Sequence, residues 1–145
     1  MKNPIFQNLH FDHMLPQDQE VFKLFLNSPA NIYDYFDYDV RVGDGRDPGK
    51  DYDDNIRQLA IKLSQRRIDA VGHHQDHIAI IEVTRIAGLK ALGQLHAYPL
   101  LYQMKYKPKL PLKPFLIAET LETDAQEAFH FAKIPILLYK PNKTS

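Results

Sequence analysis

The sequence predicts an α/β protein in which helices flank a mixed central sheet. Three observations predict this class: a nearly unbroken apolar, β-branched run at residues 77–84, apolar residues repeated at helical spacing in several segments, and a strand–helix–strand order over residues 114–140. A run of this length suits a central strand that is buried on both faces. A strand that returns after a helix favours a parallel pair, so the sheet is expected to be mixed.

The first elements are a helix, a strand and a second helix. Residues 17–27 carry apolar side chains at helical spacing, with acidic residues in the first turn. Residues 38–43 alternate apolar and polar side chains, which predicts a strand. After a polar loop, the apolar repeat within residues 56–63 predicts an amphipathic helix whose N-cap is Asp54 or Asn55.

The centre of the chain predicts a hairpin. Residues 67–72 (RIDAVG) and 77–84 (HIAIIEVT) both read as strands, and the segment between them is short and polar. A short connection of this kind joins antiparallel neighbours, so the two strands are expected to pair directly.

The last four elements are a helix, a strand, a helix and a strand. Residues 88–105 predict a helix that is bent or broken near Pro99, because proline has no amide hydrogen to donate. The pattern then predicts a strand at 114–119, a helix at 123–133 and a final strand at 135–140.

Composition limits the classes of protein that fit. The length suits a single domain over residues 1–145, with an N-terminal helical extension at 1–37 and a core at 38–140. The chain has no cysteine, which excludes disulfides and thiolate zinc sites. No apolar run approaches the roughly 20 residues that span a bilayer, so no membrane partner is expected.

Charge is balanced overall but divided along the chain. The formal net charge is zero, with 11 acidic and 5 basic residues in 1–55 against 7 acidic and 13 basic residues in 56–145. The later part can attract phosphate, whereas the earlier part suits a basic partner. Two solvated faces of one domain explain the division equally well.

Two carboxylates interrupt the predicted hairpin strands. Asp69 and Glu82 both stand in strongly apolar surroundings, where an ionised side chain is costly unless a cation or a donor network binds it. Carboxylates on adjacent strands repel each other, and a hard divalent cation such as Mg²⁺ relieves that repulsion. For either residue alone, the preferred interpretation is an ion pair with a nearby arginine, Arg66, Arg67 or Arg85.

The helix at 88–105 carries polar residues on one face. Gln94 and Tyr98 are four residues apart, and Lys90 lies one turn earlier. A lysine, an amide and a phenol in a row form a plausible edge for phosphate and bases, although an ordinary polar helix face has the same spacing.

Together these motifs resemble the PD-(D/E)XK nuclease superfamily, and its RecB-type branch in particular. Residues 67–71 (RIDAV) are similar to the first acidic motif, residues 80–84 (IIEVT) to the E-x-K strand, and residues 94–98 (QLHAY) to the Q-x-x-x-Y helix motif. The stretch 38–139 also resembles small phage and prophage members of this superfamily. The resemblance implies a restriction-endonuclease-like core.

The resemblance also implies a site and an activity. It implies that Asp69, Glu82 and the backbone carbonyl of Val83 hold Mg²⁺ or Mn²⁺ for hydrolysis of DNA phosphodiester bonds. It further implies that Gln94 and Tyr98 help to position the nucleic acid.

One position departs from the motif, because the expected lysine is Thr84. Threonine carries no charge to offset the negative charge that develops on phosphate, and losing such a group costs on the order of 10²–10³ in rate. Arg85 is adjacent, but neighbouring residues of a strand point to opposite faces. Lys90 is therefore the preferred catalytic replacement, and Arg85 is retained as a candidate substrate-binding residue.

Two functions remain open at this stage. One is a metal-dependent DNA nuclease in the cytoplasm of a host cell. The other is a nuclease fold without catalysis that serves as a phage virion or assembly component, with other phage structural proteins or a second copy of the chain as partners. Thr84 and the zero net charge favour the second function.

A histidine cluster lies in the predicted hairpin turn. His73, His74 and His77 form an H-H-x-x-H pattern that can bind a transition metal. Since turns are usually exposed, a solvated turn is the preferred interpretation.

Overall fold

A five-stranded mixed sheet forms the centre of the protein in the computed structural model, which describes residues 14–142. The strands are β1 (Tyr35–Val42), β2 (Arg66–His73), β3 (Ile78–Ala87), β4 (Leu112–Leu121) and β5 (Ile136–Leu138), and they lie in sequence order across the sheet. β1, β2 and β3 pair antiparallel, whereas β3, β4 and β5 pair parallel. The predicted mixed sheet, hairpin and parallel end are confirmed.

Helices cover both faces of this sheet. The helices are α1 (Pro16–Leu26), α2 (Asp54–Ser64), α3 (Leu89–Tyr106) and α4 (Ala125–Phe131). Ile80 and Ile81 on β3 are both fully buried, but Ile81 packs in the cluster of α1 and Ile80 in the cluster of α3. Successive strand residues point to opposite faces, so α1 and α3 lie on opposite sides of the sheet. α4 shares the α3 side through Phe129.

The core is richest in aromatic rings beneath α1. Phe22 and Phe25 are fully buried and stack at 5.7 Å between ring centroids. Phe36 and Tyr38 from β1 contact Phe22 edge-on, each at 5.8 Å. Such edge-to-face pairs stabilise beyond the area they bury, so α1 is an integral layer of the fold.

The predicted N-cap of α2 was wrong, and α3 does not break at Pro99. The N-cap of α2 is Asp53, whose extended backbone lets its carboxylate accept the Ile56 amide hydrogen at 2.9 Å, rather than Asp54 or Asn55. α3 continues through Pro99 without a break. Leu95 before the proline and Tyr102 after it are both buried, so packing compensates for the missing hydrogen bond.

α2 is amphipathic as predicted, but its apolar stripe faces solvent. Ile56, Leu59 and Leu63 are between 49% and 69% exposed. Among the described residues, no helix combines the length and the apolar character that a bilayer crossing requires.

Candidate active site

Asp69 lies where β2 changes the direction of its side chains. Ala70 packs in the cluster under α1, whereas Ile68, two residues earlier, packs in the cluster under α3. In a regular strand these two side chains would share a face. The neighbouring strand has Asp39 at the matching position, with a positive φ of 54°. This local irregularity of both strands places Asp69 where the regular alternation of side chains along β2 is interrupted.

Two hydrogen bonds link Asp69 to Glu82 and to the next residue of β3, Val83. The regular pairing of β2 with β3 ends at Ala70 and Ile81, immediately before these residues. Beyond it, the Asp69 amide donates to Glu82 Oε1 at 3.3 Å, and the Val83 amide donates to Asp69 Oδ2 at 2.8 Å. The two carboxylates therefore satisfy the backbone amides that the ladder leaves unpaired. This arrangement brings both acidic groups to one point of the sheet.

Burial makes this carboxylate pair electrostatically unfavourable. Glu82 is only 6% exposed. Its burial, and then the adjacent Asp69 carboxylate, raise the pKa of Glu82 well above its ordinary value, while the Lys90 ammonium opposes the shift. Two oxygen-donor side chains held together in this way fit a hard cation such as Mg²⁺ or Mn²⁺. The backbone carbonyl of Val83, the residue that follows Glu82 on β3, can complete the set.

Lys90 and Gln94 face Glu82 across a cleft of about 340 Å³. The cleft lies between the end of β3 and the start of α3, and its lining includes Glu82, Val83, Thr84, Lys90, Gln94 and Glu122. Gln94 Nε2 donates to Tyr98 Oη at 3.3 Å, which confirms that the two residues share one helix face. Burial, and then the negative charge of Glu82, raise the pKa of Tyr98, so its hydroxyl stays protonated at neutral pH.

Thr84 and Arg85 lie on different sides of the sheet. Thr84 lines the cleft with Glu82, two residues away on β3. Arg85 Nε lies 3.2 Å from Glu119 Oε2, and its amide donates to Asp18 at 2.8 Å on the α1 side. The Arg85 guanidinium does not line the cleft, so we leave it out of the substrate-binding residues proposed below.

Arg67 and Arg85, two of the three arginines that offered an ion-pair explanation, contact other carboxylates. Arg67 Nε lies 3.4 Å from Asp39, and Arg85 pairs with Glu119. Arg66 and Arg67 also line a depression together with Asp69 and Tyr98. Positive charge therefore borders the carboxylate pair on the β2 side.

Two acidic residues near the site were missed by sequence reasoning. Burial raises the pKa of Asp18, and the nearby Asp69 carboxylate adds to that rise. Glu122 lines the cleft, and its carboxylate occupies the space that a Cβ at Gly88 would need. Asp18 looked like an ordinary first-turn helix residue, and Glu122 stands in no motif. Only the packing of α1 and β4 around β3 brings them near Glu82.

The fold defines the class of the protein as an α/β protein with a restriction-endonuclease-like core. A repair endonuclease from Pyrococcus abyssi shares this fold at a TM-score of 0.52 and 19% identity, over 90% of this chain and 50% of that one. An EndoMS–dsDNA complex aligns at a TM-score of 0.50 and 16% identity, over 90% of this chain and 48% of that one. This chain thus spans about half the length of each. No family model and no curated protein matches the chain.

Proposed function

We propose that this chain is a metal-dependent nuclease that hydrolyses phosphodiester bonds in DNA. The observation that carries the proposal is the hydrogen bonding of Asp69 to Glu82 and Val83, which holds two carboxylates together where Glu82 and Lys90 line one cleft. The shared fold with a repair endonuclease and with a protein solved on double-stranded DNA supports the same class of activity. The motif order further supports the RecB-type branch and a phage or prophage source, with action in the host cytoplasm.

Each residue has a distinct role in this proposal. Asp69, Glu82 and the Val83 carbonyl hold Mg²⁺ or Mn²⁺, which when bound stabilises the charge that develops on a phosphate. Lys90 supplies the positive charge that Thr84 lacks, and its position across the cleft from Glu82 supports that role. Gln94 and Tyr98 offer an amide and a protonated hydroxyl along one helix face, where they position the nucleic acid.

The direct test is cleavage of plasmid and single-stranded DNA with Mg²⁺ or Mn²⁺. We expect Asp69→Asn to lower the cleavage rate at least about 10²-fold, because it removes a charged ligand while keeping the side-chain shape. Asp124→Asn is the matched control, since Asp124 starts α4 with a left-handed backbone that asparagine also tolerates. Equal cleavage by wild type and Asp69→Asn, or no cleavage by wild type, would contradict the proposal.

Metal binding can be tested without cleavage. A cation that binds only the folded protein should stabilise it by about 2.7 kcal/mol at 100 times its Kd. We expect Mn²⁺ to raise the Tm of the EDTA-treated protein and expect Glu82→Gln to abolish that rise. A rise of equal size in Glu82→Gln would place the bound ion elsewhere.

A second candidate function is a nuclease fold without catalysis, and Thr84 is the observation that favours it. Such a protein would act as a virion or assembly component through contacts with other phage proteins or with its own copies. Stoichiometric presence in purified particles, together with no cleavage of any DNA, would support this function over the first.

A further inference from the structure

The turn between β2 and β3 brings three metal-ligating side chains together. His73 ends β2 and Ile78 begins β3, and the turn between them is closed by the His74 amide, which donates to the His77 carbonyl at 3.1 Å. This closure stacks the His74 and His77 rings at 4.9 Å between centroids. Two imidazoles are therefore held side by side at the tip of the hairpin.

Both rings aim the same nitrogen at one carboxylate oxygen. His74 Nδ1 lies 2.9 Å from Asp76 Oδ1, and His77 Nδ1 lies 2.5 Å from the same oxygen. The Asp76 amide also lies 3.2 Å from His74 Nδ1. All three ligand atoms lie within 4.8 Å of one another. Ligands that share one ion about 2.0–2.2 Å away are at most about 4.4 Å apart, so small side-chain rotations suffice to bring these atoms around an ion.

The protein fixes the orientation of the innermost ligand. His77 is only 5% exposed, so the prediction of a solvated turn was wrong for this residue. Its second ring nitrogen, Nε2, lies 3.0 Å from Tyr33 Oη. When Nε2–H donates to this hydroxyl, Nδ1 is the nitrogen left to bind an ion, which takes the place of the proton that Nδ1 shares with Asp76 Oδ1.

The Tyr33 hydroxyl is itself held rigidly. The Tyr33 ring stacks on Phe115 at 6.2 Å between centroids and packs against the aromatic core under α1. By contrast, Asp76 is largely exposed. The cluster therefore has a packed inner side and an exposed outer side. On the outer side, water can fill the fourth coordination position of a bound ion.

We propose that His74, Asp76 and His77 form a binding site for a transition-metal ion such as Zn²⁺, Co²⁺ or Ni²⁺ at the tip of the β2–β3 hairpin. Imidazole nitrogen selects these ions over Mg²⁺, so the site is chemically distinct from the Asp69–Glu82 pair. The bound ion cross-links the turn of the hairpin that carries those carboxylates at its other end. The inference stands independently of the proposed nuclease activity.

The test uses the full chain after treatment with EDTA. Zn²⁺ is titrated in competition with a chromophoric chelator, and Co²⁺ is added separately to record its visible absorption. We expect one saturable equivalent of Zn²⁺ that His74→Gln and Asp76→Asn each weaken at least about 10-fold, because each removes a ligand. Both residues lie at the outer side of the turn, so the variants are expected to fold. Tyr33→Phe should weaken binding about 10-fold or more by releasing the His77 ring.

His73→Gln is the matched control, because His73 is the adjacent histidine but bonds Asp37 and is not one of the three ligands. It should bind Zn²⁺ as wild type does, and so should Glu82→Gln. Zn²⁺ affinity that is unchanged in both His74→Gln and Asp76→Asn would overturn the proposal, as would the absence of saturable Zn²⁺ binding by wild type. Loss of binding in Glu82→Gln alone would assign the ion to the carboxylate pair instead.

Discussion

Lys90→Met is expected to slow metal-dependent DNA cleavage by about 10²–10³-fold, the cost of losing one preorganised electrostatic group in a comparable site. Lys90 is the amine that lines the cleft beside Glu82, and its charge acts on the Glu82 carboxylate. Methionine keeps much of the side-chain length but removes the charge. Single-turnover cleavage rates at saturating Mg²⁺ measure the effect. Lys62→Met on the separate helix α2 is the matched control and should cleave as wild type does.

A lysine at position 84 should restore the positive charge, and part of the cleavage rate, that Lys90→Met removes. Thr84 lines the same cleft as Glu82 and Lys90, so Thr84→Lys places an amine on the same side of the sheet. We expect the double variant Thr84→Lys/Lys90→Met to recover at least 10-fold over Lys90→Met, within the range that such a group contributes. Unchanged cleavage in Lys90→Met would show that Lys90 does not replace the missing lysine. Cleavage gained only by Thr84→Lys in an inactive wild type would favour the catalytically silent function.

Phe22→Ala is expected to lower the free energy of unfolding by about 3–5 kcal/mol, the usual cost of truncating a buried phenylalanine. Phe22 is fully buried and contacts the rings of Phe25, Phe36 and Tyr38. The cavity lies beneath α1, where few side chains can collapse to fill it. Urea unfolding monitored by circular dichroism measures the loss.

Leu24→Ala on the same helix provides the comparison. Leu24 is 37% exposed, so its truncation removes less buried surface and should cost about 1 kcal/mol or less. Since alanine has the highest helix propensity, a loss in either variant reflects lost packing, and losses of equal size would contradict the larger role assigned to the burial of Phe22.

The carboxylate pair was predictable because its geometry is local. A short connection between two apolar strands forces an antiparallel hairpin, and the register from Ala70↔Ile81 to His73↔Ile78 then brings Asp69 beside Glu82. The Gln94–Tyr98 contact was predictable for a similar reason, since a spacing of four residues places both on one helix face. The roles of these residues in metal and DNA binding stay predictions.

The surroundings of the pair were not predictable, because they depend on contacts between distant segments. Asp18 reaches the site only because α1 packs across β3. There its carboxylate accepts a hydrogen bond from the amide of Arg85, which is 67 residues later in the chain. Arg85 seemed available for substrate, but Glu119 on the neighbouring parallel strand holds its guanidinium. Nothing in the local pattern of either residue indicates these partners.

The sequence by itself determined the order of helices and strands, the central hairpin and the two acidic positions on it, because side-chain periodicity and short connections act over a few residues. The tertiary structure alone decided which side chains share the cleft, that the apolar stripe of α2 faces solvent, and that Tyr33 buries His77 at the hairpin tip. These features arise where segments far apart in the chain pack together, and the local periodicity of the sequence does not indicate which segments do so.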